Sequence, residues 1–378
     1  MTSRGPFPRA PLVAANLLAP LLAGLSVIAL VSRGPTAPSL AVVALAGFFV
    51  VGAAIAAVHR LRRRAWFVAL PILALAAFLT TYRAAPLPRP APFAGPLPPA
   101  HPPPTMALYA LPTGITHRTA AFAVRGGSPL EARDFVMTAV LVTHPRGDVL
   151  VDTGLGRDIA TQLATMPPWF RAMTRFERTR SAAEQLDDAH YDRHRLAAVV
   201  LTHAHWDHAS GLPELAGTPV WVPSAERRFI EEGGAIMGLT RSFHGVAYVS
   251  YDFDGGPYLG FERSHDVYGD GSIVLVPAPG HTPGSVVVFL ALPDGRRWAL
   301  LGDLVWQLEG VTERAPRAWL NSLLGDDDPA AARTSLARIA AVAEAFPSMA
   351  MVPAHDRRGF SGMGTVSTIQ HSPRQPPP

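Results

Sequence analysis

The hydrophobic pattern of this 378-residue chain changes character once. Up to about residue 82 it consists of three long apolar stretches without a charged residue, 10–31, 40–58 and 65–81. Each approaches the ~20 residues that carry a helix across a bilayer core, so the pattern predicts three transmembrane helices. A cleaved signal peptide would account for the first stretch only. From Met106 onwards apolar residues come in short β-rich runs broken by Gly, Pro and Asp: 136–142, 148–151, 197–201, 273–276, 286–290, 298–301 and 349–352. Helical patterns lie between some of them, notably at 181–185 and 329–345. Asp328 before Pro329 reads as an N-cap followed by a proline in the first turn. Strands interleaved with helices predict a layered α/β domain.

These patterns divide the chain into a membrane region over 1–84, a linker over 85–105, an α/β domain over 106–362 and a disordered tail over 363–378. The linker is rich in proline, which favours an extended, semi-rigid spacer that holds the following domain off the membrane.

Charge sharpens this picture. Residues 1–105 hold nine arginines and no acid, while the rest holds the other 24 basic residues against all 29 acids. The net charge of +4 therefore belongs to the N-terminal third, and no basic surface for nucleic acid is expected on the α/β domain. Arg4 and Arg9 precede the first stretch, Arg33 alone follows it, and Arg60, Arg62, Arg63 and Arg64 follow the second. Positively charged loops stay in the cytoplasm. The third stretch, interrupted by Pro71, then carries everything after Tyr82 to the outer side; if it does not span, the domain stays cytoplasmic. The expected partners are the lipid bilayer and a small-molecule substrate.

The chain has no cysteine, so thiolate sites are excluded and any metal is held by His, Asp or Glu. Residues 203–208 read His203-Ala204-His205-Trp206-Asp207-His208, and His281, Asp303 and His355 each follow an apolar run. Asp152 ends another run. Groups at strand ends converge on one edge of a sheet, where open α/β sheets place their sites. His203 and His205 alternate along an extended segment and project to one side, while Asp207 and His208 point apart and suit a neighbouring metal. A carboxylate such as Asp303 is suited to bridge two metals, which lower the pKa of a shared water. The remaining histidines 117, 144, 190, 194, 244 and 265 lack this context.

Five motifs in order, DTG with Asp152, HAHWDH, PGHTPGS with His281, GDL with Asp303 and PAHD with His355, resemble those of the metallo-β-lactamase superfamily. The resemblance covers 106–362 and implies an αββα sandwich with metals at one edge. It implies His203, His205 and His281 on a first metal, Asp207, His208 and His355 on a second, Asp303 as bridge and Asp152 as a hydrogen-bonding support. Zinc is the default cofactor, with iron and manganese open. Lactonases of this superfamily usually carry a tyrosine three residues past the bridging Asp; here Trp306 stands there. Tyr248, Tyr251, Tyr258 and Tyr268 are the substitutes to consider.

The expected activity is a membrane-anchored binuclear hydrolase, with hydroxide held by metal attacking a lactone, ester, thioester or amide carbonyl. Asp207 and Asp303 are the expected catalytic groups. A phosphodiesterase or nuclease-type hydrolase is the alternative, and a metal-binding envelope module with little catalysis a third reading. Apolar residues 167–176 and 229–243 are candidate lids over the site, with helix core as the competing reading.

Overall fold

The computed structural model describes Ile72, Leu75 and residues 82–369. Among these, no helix is long and apolar enough to cross a membrane. The three stretches expected to do so lie outside the described residues, apart from those two positions.

The described chain forms thirteen strands: β1 (Ala107–Thr119), β2 (Ala132–Thr143), β3 (Asp148–Val151), β4 (Glu177–Arg178), β5 (Leu196–Val200), β6 (Val220–Pro223), β7 (Tyr248–Tyr251), β8 (His265–Asp266), β9 (Ile273–Pro277), β10 (Val286–Ala291), β11 (Arg297–Gly302), β12 (Ala350–Pro353) and β13 (Gly364–Thr365). One sheet runs β13-β1-β2-β3-β5-β6-β7, with β4 paired to β1; the other runs β12-β11-β10-β9-β8.

Alternation along the strands explains why these sheets stack. In β2, Val140 and Val142 pack between the sheets, while Ala139 and Leu141 face the helices outside. In β10, Val286, Val288 and Leu290 point inward, and Val287 and Phe289 point outward. Both faces of both sheets are thus apolar, and each outer face needs a helical cover. Ala182, Ala183 and Leu186 of helix Ala182–Asp188 and Ile230 of helix Ser224–Glu232 cover the first sheet. Leu336, Ile339 and Val342 of helix Pro329–Ala345 cover the second. The result is the αββα sandwich. Leu141, fully buried in the first sheet, is a position where truncation to Ala would cost about 2–5 kcal/mol.

Helix starts follow the sequence signals. Ser181 and Glu184 form a reciprocal capping box, and Asp328 accepts from the backbone N–H groups of Ala330 and Ala331. Strand β1 lies outside the apolar runs read from the sequence, and its register shifts between Pro112 and Gly114.

Two boundaries differ from expectation. The proline-rich segment 85–105 is not a free spacer. Leu87, Phe93 and Leu97 pack on the core beneath helix Pro329–Ala345. The backbone N–H of Leu87 donates to Arg314 (2.8 Å) and that of His101 to Asp270 (2.7 Å). An extended proline backbone leaves the interspersed Leu and Phe side chains to be buried, so it lies down as a strap. The described part of the tail, up to residue 369, packs on the domain. Its β13 pairs in parallel with Tyr109 and Ala110 of β1, and Val366 is buried. This pairing covers a stretch of β1 that would otherwise be an open edge.

Candidate metal centre

Strand direction delivers the site. β3 and β5 run parallel, so Asp152 and the 203–208 segment leave the first sheet at one end. β9 and β11 are both antiparallel to β10, and β12 is parallel to β11. His281, Asp303 and His355 therefore leave the second sheet at one end too. The backbone N–H of Val286 donates to Thr202 at 2.9 Å and ties the two exits together.

All seven expected ligand residues meet there. His203, His205 and His281 form one cluster, His203, His208 and Asp303 a second, and Asp207, His208 and His355 a third; within each, one donor atom per residue lies within 4.8 Å of the others. His205 Nδ1 is 2.9 Å from His281 Nε2. Asp303 sits centrally: His208 Nε2 is 3.2 Å from its Oδ1, His355 Nε2 3.1 Å from Oδ1 and His281 Nε2 3.5 Å from Oδ2. Asp207 Oδ2 is 3.4 Å from His355 Nε2.

The donor set fits metal. His203 Nε2, His208 Nε2 and Asp303 Oδ1 are buried and make no hydrogen bond of regular geometry, the last two facing each other at 3.2 Å. Buried polar atoms without partners are costly, and three in one cluster fit coordination. The outer partners also set the tautomers. His208 Nδ1 lies 2.8 Å from Asp152 Oδ2, His281 Nδ1 3.0 Å from Asp326 Oδ1 and His355 Nδ1 2.8 Å from the Val136 carbonyl. Acceptors there assign the proton to Nδ1 in each ring and leave Nε2 aimed at the centre.

Electrostatics agree. Burial pushes the His203 and His205 imidazoles well below their ordinary range, so both rings are neutral, as metal ligation would require. Burial also opposes charge on His208, but Asp152 and Asp303 outweigh it and hold its pKa well above the usual value. His355 is raised likewise, against burial, by Asp303. Burial alone would raise Asp303, but His355 and His208 hold it well below the carboxylate range. Asp152, Asp207 and Asp303 thus call for positive charge at His208 and His355, which a bound cation would supply in place of the ring protons.

The supporting residues are partly those read from sequence. Asp152 adopts a positive φ of 57°, which a short polar side chain tolerates, and its carboxylate accepts from the Thr202 N–H (2.7 Å) and hydroxyl (2.8 Å) as well as His208. Three residues were missed. Glu226 is fully buried and accepts from the N–H groups of Ala204 (2.7 Å) and Gly284 (3.0 Å) and from the Thr282 hydroxyl (2.7 Å). It joins the two ligand loops, and Gly284 is required because a Cβ there would lie 2.3 Å from the Glu226 nitrogen. Burial raises the Glu226 carboxyl to about 7. Asp326 links His281 to Arg317 and Ser322. Arg317 also donates to the Asp303 carbonyl. No motif signals these three, since packing alone makes them neighbours. His117, His144 and His265 pair with Asp134, Asp270 and Asp254.

A cavity of about 190 Å³ opens onto the cluster. His205, Asp207, His281, Asp303 and His355 form its polar floor, and Phe122, Phe135, Met137, Phe170, Trp206 and Trp306 line its walls. Of the candidate lid residues, Trp169, Phe170 and Ile236 line it, while Met237 belongs to the core. None of Tyr248, Tyr251, Tyr258 and Tyr268 does. The place of a proton-donating tyrosine is held by Trp306, whose Nε1–H donates to Asp303 Oδ2.

The chain belongs to the metallo-beta-lactamase superfamily, which it matches over residues 133–355, more than half its length. A probable metallo-hydrolase of Mycobacterium tuberculosis is 33% identical over 170 residues, 43% of this chain and 54% of the relative. The chain thus spans about half the length of that curated relative. An N-acyl homoserine lactonase of Rhizobium radiobacter is 25% identical over 194 residues, 48% of this chain and 70% of the relative. Among solved structures, an N-acyl homoserine lactone hydrolase with the product N-hexanoyl-L-homoserine bound at its catalytic metal center has a TM-score of 0.54 at 18% identity, over 68% of this chain and 96% of that one. That likeness bears on the fold.

Proposed function

We propose that this chain is a membrane-anchored, binuclear metal-dependent hydrolase that opens a lactone, ester, thioester or amide carbonyl carrying an apolar group. The observation that carries the reading is the buried cluster in which His203 Nε2, His208 Nε2 and Asp303 Oδ1 make no regular hydrogen bond, set behind a largely apolar cavity that Asp303 helps to floor. His203, His205 and His281 would hold one metal, Asp207, His208 and His355 the other, and Asp303 would bridge them. When bound, the pair supplies an activated water and a Lewis acid for the carbonyl; zinc is the first choice, with iron and manganese open.

The protein's own groups do the rest. Asp207 stands at the cavity floor beside His355 and is placed to orient the water and carry its proton. Phe122, Phe135, Met137 and Phe170 exclude bulk water and take the apolar part of the substrate. Trp306 keeps its N–H on Asp303, so it holds the bridge and does not protonate the leaving oxygen. Arg118 is the one arginine in the lining among the described residues, with its guanidinium 5.2 Å from the Phe122 ring centroid. One cation against so many apolar walls favours a carbonyl substrate over a phosphodiester.

Parallel assays with ester and lactone substrates and with bis-p-nitrophenyl phosphate test this choice. Turnover of the carbonyl substrates is expected; turnover of the phosphodiester alone moves the assignment to the nuclease-type branch. Absent turnover on every substrate, with metals bound, favours an envelope metal-binding module.

The arginine pattern further supports a catalytic domain outside the cytoplasm. A reporter active only outside the cytoplasm is expected to work when fused at the C-terminus; a silent one, with a cytoplasmic reporter active, would mean that 65–81 does not span.

A further inference from the structure

The cavity mouth is apolar where solvent-exposed protein is ordinarily polar. Trp169 and Leu324 line the cavity and are 56% and 53% exposed. On the same short helix as Leu324 (Trp319–Gly325), Trp319 is 49% and Leu323 62% exposed, and that helix carries no charge. Exposed apolar clusters beside a site mark a docking surface.

The chain's entry point lies beside this rim. The carbonyl of Tyr82 accepts from the Gly126 N–H (2.9 Å), and that of Arg83 from Arg125 Nε (2.9 Å). The N–H of Arg125 in turn donates to Pro316 (2.9 Å), and Asn321, in the exposed helix, donates to the Phe122 carbonyl (3.1 Å). Phe122 and Asn321 are both cavity-lining residues. The third apolar stretch ends at residue 81. The proline-rich segment is strapped to the domain and gives no slack. The face that follows the membrane stretch without a spacer is the face with the open mouth. Exposed Arg83 at the entry and Arg171 beside Trp169 suit lipid headgroups, and tryptophan favours the interface itself.

We propose that the cavity mouth is seated on the bilayer holding residues 65–81, and that its substrate is an amphiphile drawn from the lipid phase. This rests on the membrane-anchored reading above.

The absence of cysteine makes a site-specific test direct. Full-length Leu323→Cys carries an environment-sensitive fluorophore in phosphatidylcholine–phosphatidylglycerol vesicles containing doxyl-labelled lipid. Asp294→Cys is the control: it lies in the turn between β10 and β11, at the end of the sheet away from the metal cluster. The protein is expected to float with the vesicles, and the label at 323 to be quenched about threefold or more beyond that at 294. Flotation with equal or absent quenching at 323 would overturn the seating and leave the anchor standing. Flotation with self-quenching at 323 that rises with protein density, and none by lipid, would assign the face to a second copy. No flotation would overturn both.

Discussion

The indole Nε1–H of Trp306 lies 2.8 Å from Oδ2 of Asp303, the carboxylate at the centre of the histidine cluster. The ring is held from several sides: it stacks on Phe122 at 4.8 Å and 6°, and the Arg317 guanidinium lies 4.4 Å from its centroid. One Asp303 oxygen is thereby fixed, and the carboxylate cannot rotate freely. Trp306→Phe keeps the stacking and removes the donor. It is expected to weaken metal retention or turnover about 10–100-fold, read by competition with a chelator and by kcat. Unchanged values in both would mean that the bond is idle.

Asp326 makes the corresponding contact to His281, with Nδ1 and Oδ1 3.0 Å apart. Asp326→Asn preserves the shape and removes the charge that holds the ring. About 10-fold or greater loss of metal affinity is expected, with the folded state retained by circular dichroism. An affinity equal to that of the parent would assign Asp326 to the Arg317 contact alone.

Glu226 accepts three donors, and above about pH 7, as the carboxylate, it has no donor to set against them. Glu226→Gln turns an amide NH₂ toward part of that set and leaves a buried donor facing donors. A loss of about 1–3 kcal/mol in unfolding free energy is expected, measured by denaturant titration. A midpoint unmoved by the substitution would show that the loops hold together without it.

Acid sensitivity follows from Glu309. Burial would raise its carboxyl, but Arg358 and Arg133 hold it down to about 2, below its ordinary value of 4.5. A carboxylate lowered in the folded state contributes stability above pH 4.5 and loses it as pH falls toward 2. The contribution is about 1–2 kcal/mol after allowing for solvent screening. Glu309→Gln should flatten that part of the stability–pH curve; a curve of unchanged slope would contradict the pairing.

The residues of the cluster were legible because its segments each follow a strand and a strand end is a fixed place in a sheet. His203, His281, Asp303 and His355 needed no partner to be recognised. Short apolar runs broken by Gly, Pro and Asp likewise announced β2, β3, β5 and β9 through β12, and Asp328 announced its helix. Glu226, Asp326 and Arg317 were not legible. Each becomes a neighbour only when helices from distant parts of the chain pack against the ligand loops. The strap was hidden for another reason: proline content specifies an extended backbone, but not whether Leu87, Phe93 and Leu97 find a surface to cover. It also means that a fragment beginning at residue 106 would expose apolar core, so measurements belong on the full chain.

The metal content of the full-length protein tests the central claim most directly. It should be determined alongside a His203→Ala, His205→Ala double variant and with turnover on an ester or lactone. Two metals per chain with turnover are expected, and the double variant should lose metal and all activity. A folded parent without metal, or a double variant as active as the parent, would contradict the account.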